Sequence, residues 1–460
     1  MTRLPISSPA ARNEQFLDPK TVDSGNFVRI GAGSGLRTWW ATARKSFTWM
    51  VLVALVLRIG YMLIAHTYRF KTADDNFGFG FEMGRIGRSL ALGQGFGNPF
   101  HGITGPTAWE PPLYPFLIAI GFKLFGIYTK TSAVFLLTFN SICSALTCIP
   151  IFLIAKRCFD DRVAVWSAWA WVLLPPIIFW TTRYVWETSV ATLLLALIVW
   201  LALTFETRDG VVPWFAFGAL WGIAALTNTA LLSFLPACGV WVWYRRAKHG
   251  RASLVGVLIA SLIFVACVTP WIARNYRVFG QFIFIRSNPG AELRLGNGPG
   301  ADGTWMDYLH PTKNAEQLDL YKQMGEMAYV AERKSEALAF IRDDSSRFVI
   351  LCFKRCEYFW AGLPRGTFAH TISANFLYFL SSVLAILGLV RALRKRLPGA
   401  WLMFWLVVLY PLPYYMTFVL ARYRHPIEPE LLVLFMYAVF GAFPARDLGS
   451  TVSAQTSGSA

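Results

Sequence analysis

Ten stretches of this chain are apolar over nearly their whole length: 47–66, 130–155, 163–181, 187–205, 212–229, 230–244, 252–271, 371–390, 399–420 and 427–444. An α-helix needs roughly 20 apolar residues to cross the hydrocarbon core of a bilayer. The pattern therefore predicts an all-α, polytopic integral membrane protein with about ten transmembrane helices. A further apolar segment, 112–127 (PLYPFLIAIGFKLFGI), is short and carries Lys123, which suits a helix lying in or dipping into the interface. Two intervening segments, 67–111 and 272–370, are too long for turns. In the first, Phe79, Ile86 and Leu90 fall on one helical face and Glu82, Arg85 and Arg88 elsewhere, predicting an amphipathic surface helix that ends near Gly93. In the second, 272–313 reads as loop and 314–344 as a polar helix. Residues 346–361 read as an interfacial amphipathic helix, because Arg347, Lys354, Arg355 and Glu357 interrupt its apolar face. The polar residues 1–46 and the low-complexity residues 445–460 read as disordered tails. The organisation expected is a membrane module over 47–271 with an outer loop at 67–129, a large outer loop at 272–370 and C-terminal membrane helices at 371–444.

Charge sets the orientation. The short loops 156–162, 206–212, 244–251 and 391–397 hold 12 basic residues, whereas the alternating loops 181–187, 228–230 and 421–425 hold three: Arg183, Arg422 and Arg424. Positive charge is retained in the cytoplasm during insertion, so the first set faces inward and both termini with it. The segments 67–111 and 272–370 then face outward. The net charge of +17 follows from this topology and from attraction to anionic membrane lipids, and it argues against a nucleic-acid partner. Only 15% of residues are charged, against about 25% in ordinary soluble proteins. The 19 Trp suit membrane-interface belts. The seven Cys show no CxxC and no metal-ligand spacing, so redox chemistry and a structural metal have no support.

Chemistry is concentrated at the outer ends of the spans. Asp74 and Asp75 lie just beyond the first span, where a carboxylate can take a proton from a hydroxyl. The segment GPTAWEPPLYP (105–115) forces a sharp entry into the next helix, because successive prolines fix the backbone. Arg183, Arg274, Arg422 and Arg424 sit at outer span ends, where the charge rule disfavours them; an Arg fork there can hold a lipid phosphate or simply reach the headgroups. Arg58 lies inside the first span, and such a charge serves function, pairs with another helix or snorkels to the headgroups. His310 reads as a loop bystander, Asn228 as a cap, and the Gly-rich 296–303 as a flexible turn lacking the Lys and Ser/Thr of a phosphate loop.

The order of these features resembles the GT-C superfamily of membrane glycosyltransferases, especially the branch holding protein O-mannosyltransferases and lipid A aminoarabinose transferases. The matching segments are one span followed by paired acids, RIGRSLALGQGF, a PPLYP helix ending LFG, TPWIARNYRVFG (269–280) and ARYRHPIEP (421–429). The resemblance implies transfer of a monosaccharide, with inversion, from a polyprenyl-phosphate donor to a hydroxyl acceptor on the extracytoplasmic face of a bacterial inner membrane. It implies a base at Asp74 or Asp75, a second acidic residue at Glu187, and phosphate contacts from Arg274, Arg422, Arg424 and Arg183. A divalent cation is left open, since some branches use one. The chain departs from the family pattern in two places. The spacing to Arg88 puts Phe79 where the base is expected, which leaves Glu82 as an alternative base. Glu110 stands before the Pro-Pro pair where some relatives have Lys, so that phosphate contact is missing or comes from elsewhere, for instance Lys123.

The rival class is a lipid-linked saccharide flippase or transporter. Transporters show internal repeats and broken helices at the midplane, whereas this chain shows no repeat between its halves and gathers its polar residues at the outer face. The twelve-to-three division of basic residues predicts the outcome of reporter fusions at 250, 320 and 395: outside at 320, inside at the other two. An inside signal at 320 would put the candidate chemistry in the cytoplasm and overturn the assignment.

Overall fold

The computed structural model describes residues 45–70, 77–363 and 371–442, and the regular elements among them are helical. Both tails and the pair Asp74–Asp75 lie outside the described residues. In chain order the helices are α1 Phe47–Ile64, α2 Glu82–Ala91, α3 Leu113–Phe125, α4 Lys130–Leu146, α5 Cys148–Cys158, α6 Asp161–Leu173, α7 Pro175–Arg183, α8 Thr188–Thr204, α9 Val212–Thr227 and α10 Leu235–Lys248. They continue with α11 Leu254–Phe279, α12 Pro289–Gly296, α13 Ala315–Met324, α14 Glu326–Asp343, α15 Ser345–Ala361, α16 Thr371–Arg394, α17 Ala400–Leu409, α18 Leu412–Met416 and α19 Glu428–Ala442.

Each of the ten apolar stretches contains a helix. Phe47–Ile64, Lys130–Cys158, Leu254–Phe279 and Asn375–Arg394 are long and apolar enough to cross a membrane, and the bent pair α6–α7 makes a fifth if it counts as one span. α8, α9 and Ala400–Met416 are apolar but shorter. At about 1.5 Å per residue, α3 reaches only about 20 Å, well short of the roughly 30 Å hydrocarbon core. The outward faces of the long helices are apolar: Leu254, Val255, Leu258, Leu262 and Val265 on α11 are all exposed, as are Phe376, Leu377 and Phe379 on α16. Such faces suit lipid rather than water.

The structure corrects four details of the loops. The helix expected to stop at 271 continues to Phe279 and ends on Gly280, at φ 69°. It continues because its last turns dock on both outer segments: Trp271 Nε1 donates to Ile285 O in the second at 2.8 Å, and Arg274 donates to Thr107 O at 2.6 Å and to Phe96 O at 2.7 Å in the first. The polar helix expected over 314–344 is two helices, broken at Gly325, whose φ of 74° is readily adopted only by glycine. Phe79 belongs to a 3₁₀ turn, Phe77–Phe79, rather than to α2. And α2 is no surface helix, since Glu82, Arg85 and Ile86 are all buried. It lies close on α3, where a Cβ at Gly87 would come within 2.5 Å of Ile118.

The bend between α6 and α7 explains the buried charge of the first span. Pro175 and Pro176 have no N–H, so the carbonyls four residues earlier, Trp171 and Val172, lose their helical donors. Arg58, fully buried, supplies the replacement: Nη2 donates to Trp171 O at 3.1 Å, Nη1 to Val172 O at 3.4 Å, and Nε to Ser144 Oγ at 3.0 Å. The pair is bent by 48°. An orphaned buried carbonyl costs about 1–3 kcal/mol, so Arg58→Met should destabilise the purified protein by about 2 kcal/mol. In a Pro175→Ala/Pro176→Ala background the backbone regains its own donors and the cost should shrink. Equal losses in both backgrounds, read from unfolding midpoints in detergent, would contradict this role.

Candidate active site

One cavity of about 260 Å³ opens among the segments that the charge pattern assigns to the outer side. Its lining includes Glu82, Glu110, Glu187 and Glu292, with Arg286, Arg422 and His310, and the rings of Trp109, Trp186 and Trp305. Four carboxylates and two guanidiniums thus face one space of limited size.

The carboxylate wall is built by hydrogen bonds between loops far apart in sequence. Asn140, 1% exposed on α4, accepts from Tyr114 OH at 2.9 Å and donates to Tyr184 O at 3.2 Å and Trp186 O at 3.3 Å. This holds the loop that ends at Glu187. That loop in turn holds the first outer segment: Val185 N donates to Gly78 O at 2.7 Å, and Trp186 Nε1 donates to Phe77 O at 3.1 Å. Gly80 must be glycine there, because its φ is 79° and a Cβ would lie 2.7 Å from Val185 O. Phe81 follows at φ 43° and ψ −106°, a strained conformation for a residue with a side chain, and Glu82 comes next. Strain of this kind collects at functional sites.

Glu82 Oε1 accepts from Thr312 Oγ1 at 2.8 Å and lies 3.7 Å from His310 Nε2. The Thr312 amide donates to His310 Nδ1 at 3.2 Å, which leaves the imidazole proton on Nε2, facing Glu82. Burial lowers the His310 pKa, against the pull of Glu82. Glu187 Oε1 accepts from Asn228 Nδ2 at 3.2 Å.

On the cation side, Arg286 Nε donates to Trp109 O at 2.9 Å, and its Nη2 stands 3.4 Å from Glu110 and 3.5 Å from Glu292. Burial nevertheless pushes the Glu110 carboxyl up to about 8, the nearby guanidinium offsetting only part of the desolvation. Glu292 is raised for the same reason. Arg422 lies flat over Trp186, 3.5 Å from the ring centroid. Its Nε and Nη1 are shielded from solvent and find no hydrogen-bond partner among the described residues. Among the described residues no three His, Cys, Asp or Glu side chains are grouped to hold a metal ion.

Of the residues singled out in the sequence, Glu82, Glu187 and Arg422 come together here, while Asp74 and Asp75 lie outside the described residues. Arg274, Arg424 and Arg183 do not line the cavity. Arg274 is committed to the two loop carbonyls named above. Arg424 is committed to Glu428 at 2.8 Å, Ser381 at 2.8 Å and Ser382 at 2.6 Å. Arg183 is exposed and packs over Phe179 at 4.8 Å. Lys123 is exposed on α3, away from the cavity. His310, read as a bystander, faces Glu82. Asn228 does cap the turn that follows it, accepting from Ala230 N at 3.0 Å, and it also holds Glu187. Arg286, Glu292 and Trp305 carried no local sequence signal; Glu110 did, as the acid before the Pro-Pro pair.

Residues 109–273 match the family model described as dolichyl-phosphate-mannose-protein mannosyltransferase. Among solved structures, the oligosaccharyltransferase of Archaeoglobus fulgidus aligns at TM-score 0.53 and 14% identity, over 89% of this chain and 51% of the other. The same archaeal enzyme in complex with an inhibitory peptide and a dolichol-phosphate gives the same values. The chain thus spans about half the length of that relative. ArnT from Cupriavidus metallidurans, bound to undecaprenyl phosphate, aligns at TM-score 0.37 and 14% identity, over 87% of this chain and 78% of the other. No curated protein matches the sequence significantly. Residues 109–273 are thus similar to that mannosyltransferase family, and the fold over 89% of the chain is similar to that of the archaeal oligosaccharyltransferase.

Proposed function

We propose that this protein moves a monosaccharide from a polyprenyl-phosphate donor to a hydroxyl acceptor on the extracytoplasmic face of a bacterial inner membrane, inverting the anomeric carbon. The observation that carries the reading is the meeting of Glu82 and Glu187 with Arg422 in one cavity, where Arg422 Nε and Nη1 have no hydrogen-bond partner among the described residues. The volume of about 260 Å³ corresponds to roughly nine waters, which suits a single sugar ring. Its lining comes from the loops predicted to face outward and from the adjoining ends of predicted spans, such as 413–420. The loops predicted to face inward meet one another instead, with Glu206 between Arg157 and Arg245 and Asp209 between Arg246 and Arg251.

In this reading the donor's phosphate lies against Arg422, whose free N–H groups and fixed charge match a phosphate oxygen. The acceptor oxygen attacks the anomeric carbon from the face opposite the phosphate. The bond from carbon to phosphate oxygen breaks, its electron pair leaves with the polyprenyl phosphate, and the hydroxyl proton passes to a carboxylate. Asp74, Asp75 and Glu82 are the candidates for that base. Glu82 has a further argument, because it lines the cavity, Thr312 donates to it, and His310 Nε2 stands 3.7 Å away.

A positioned base contributes about 10²–10⁴-fold to such a step. Glu82→Gln should therefore lose transfer by that order while still binding the donor, unless Asp74→Asn or Asp75→Asn carries the loss instead. Full activity in all three variants with polyprenyl-phosphate sugars would refute the mechanism. Arg422→Lys keeps a charge but loses the fork and should weaken donor binding, and unchanged binding by Arg422→Ala would remove the phosphate role. Glu110 adds a pH dependence. Its carboxyl is neutral below about 8 and gains a negative charge above it, so the donor KM should rise as the pH passes 8. Glu110→Gln should abolish that rise, and matching KM profiles for the two proteins would contradict it.

A further inference from the structure

The proposed transfer step uses a base and a phosphate contact, and it leaves one buried oxygen of the cavity without a task. Glu187 is only 9% exposed, and its Oε2 has no hydrogen-bond partner among the described residues. A buried carboxylate oxygen without a donor is costly, and such groups call for a specific explanation. The position of this oxygen is set. Asn228 is the reason: its Oδ1 accepts from Ala230 N at 3.0 Å, which fixes the amide orientation and turns Nδ2 toward Glu187 Oε1 at 3.2 Å. The backbone beneath is set as well, since Trp186 O accepts from Asn140 at 3.3 Å and Glu187 O accepts from Ala191 N at 2.9 Å. With Oε1 held and the backbone fixed, Oε2 is the acceptor left to a ligand.

We infer that Glu187, positioned by Asn228, reads one hydroxyl of the transferred sugar and so determines which donor the cavity accepts. The inference rests on the glycosyl-transfer reading above and deepens it. Two observations select a sugar hydroxyl. Trp186 carries Arg422 on its face at 3.5 Å, and Glu187 is the next residue. A sugar phosphate whose phosphate engages Arg422 therefore brings its ring beside Glu187. In addition, a hydroxyl satisfies Oε2 without adding charge to a cavity where Arg286 and Arg422 already stand among the carboxylates. Glu187 would be the specificity-determining residue, and Asn228 a positioning residue acting through it.

The experiment measures kcat/KM of the purified full chain with a polyprenyl-phosphate hexose it transfers and with analogues of that donor lacking one hydroxyl at a time. In the wild type, removal of one particular hydroxyl should cost roughly 10–100-fold, because it leaves the buried carboxylate unpaired. Glu187→Ala should treat that analogue and the parent donor nearly alike while keeping the wild-type ratios at the other positions. Asn228→Ala should lose part of the discrimination at the same position only. If Glu187→Ala does not fold, Glu187→Gln serves, with discrimination at that position reduced. Losses in equal proportion for every analogue would overturn the inference and leave the transfer reading standing. Absence of turnover with any polyprenyl-phosphate sugar would refute the transfer reading, and this inference with it.

Discussion

Asn140 puts one buried amide inside α4, and the end of the bundle that carries the cavity is organised around it. Its oxygen takes the Tyr114 hydroxyl, and its nitrogen serves two carbonyls of the loop before α8. That loop anchors the turn at Phe77–Phe79, which aims Glu82 into the cavity. An unpaired amide at this depth would be costly, so the network is set only when all its members are in place. The two acidic residues that sequence reasoning picked from separate loops meet because of these bonds.

A second constraint comes from positive charge on the outer side. Each of the four Arg at the span ends predicted to be outer has an aromatic face beneath it: Arg422 on Trp186 at 3.5 Å, Arg424 on Tyr378 at 4.0 Å, Arg183 on Phe179 at 4.8 Å and Arg274 on Trp271 at 4.9 Å. Stacking lowers the cost of removing a guanidinium from water. What separates the four is their remaining hydrogen bonds. Arg274 and Arg424 spend theirs on the protein, the first on loop carbonyls and the second on Ser381 and Ser382, with Glu428 beside the Arg424 Nε as an ion pair. Arg422 lines the cavity, and its Nε and Nη1 have no hydrogen-bond partner among the described residues. Burial alone would rank Arg424 first, at 1% exposed; only the hydrogen bonds identify it as structural.

The helices were legible in the sequence because hydropathy acts over whole segments. Every apolar stretch contains a helix, as do the short 112–127 segment and the interrupted 346–361 segment. Details governed by one residue were harder to read. Gly325 splits a polar helix, and docking by Trp271 and Arg274 prolongs α11 past its apolar end. The site was legible by residue type but not by partner. Arg422 stood out as a charge at an outer span end, and so did Arg274 and Arg424, whose partners are distant backbone and serine oxygens that no local pattern reveals; Glu82 and Glu187 were singled out through the family resemblance. Arg286 and Glu292 become visible only when the fold brings them to Glu110. Arg58 was readable as a buried charge needing a partner. The partners proved to be the carbonyls that Pro175 and Pro176 leave without donors.

The central claim is that the outer cavity binds a lipid phosphate through Arg422. The most direct measurement is a cryo-EM structure of the protein in a lipid nanodisc with polyprenyl phosphate added. The account predicts phosphate density within hydrogen-bond distance, about 3 Å, of the Arg422 guanidinium, with the prenyl chain leaving between the helices toward lipid. Phosphate density against Arg274, Arg424 or Arg183, with none at Arg422, would contradict it.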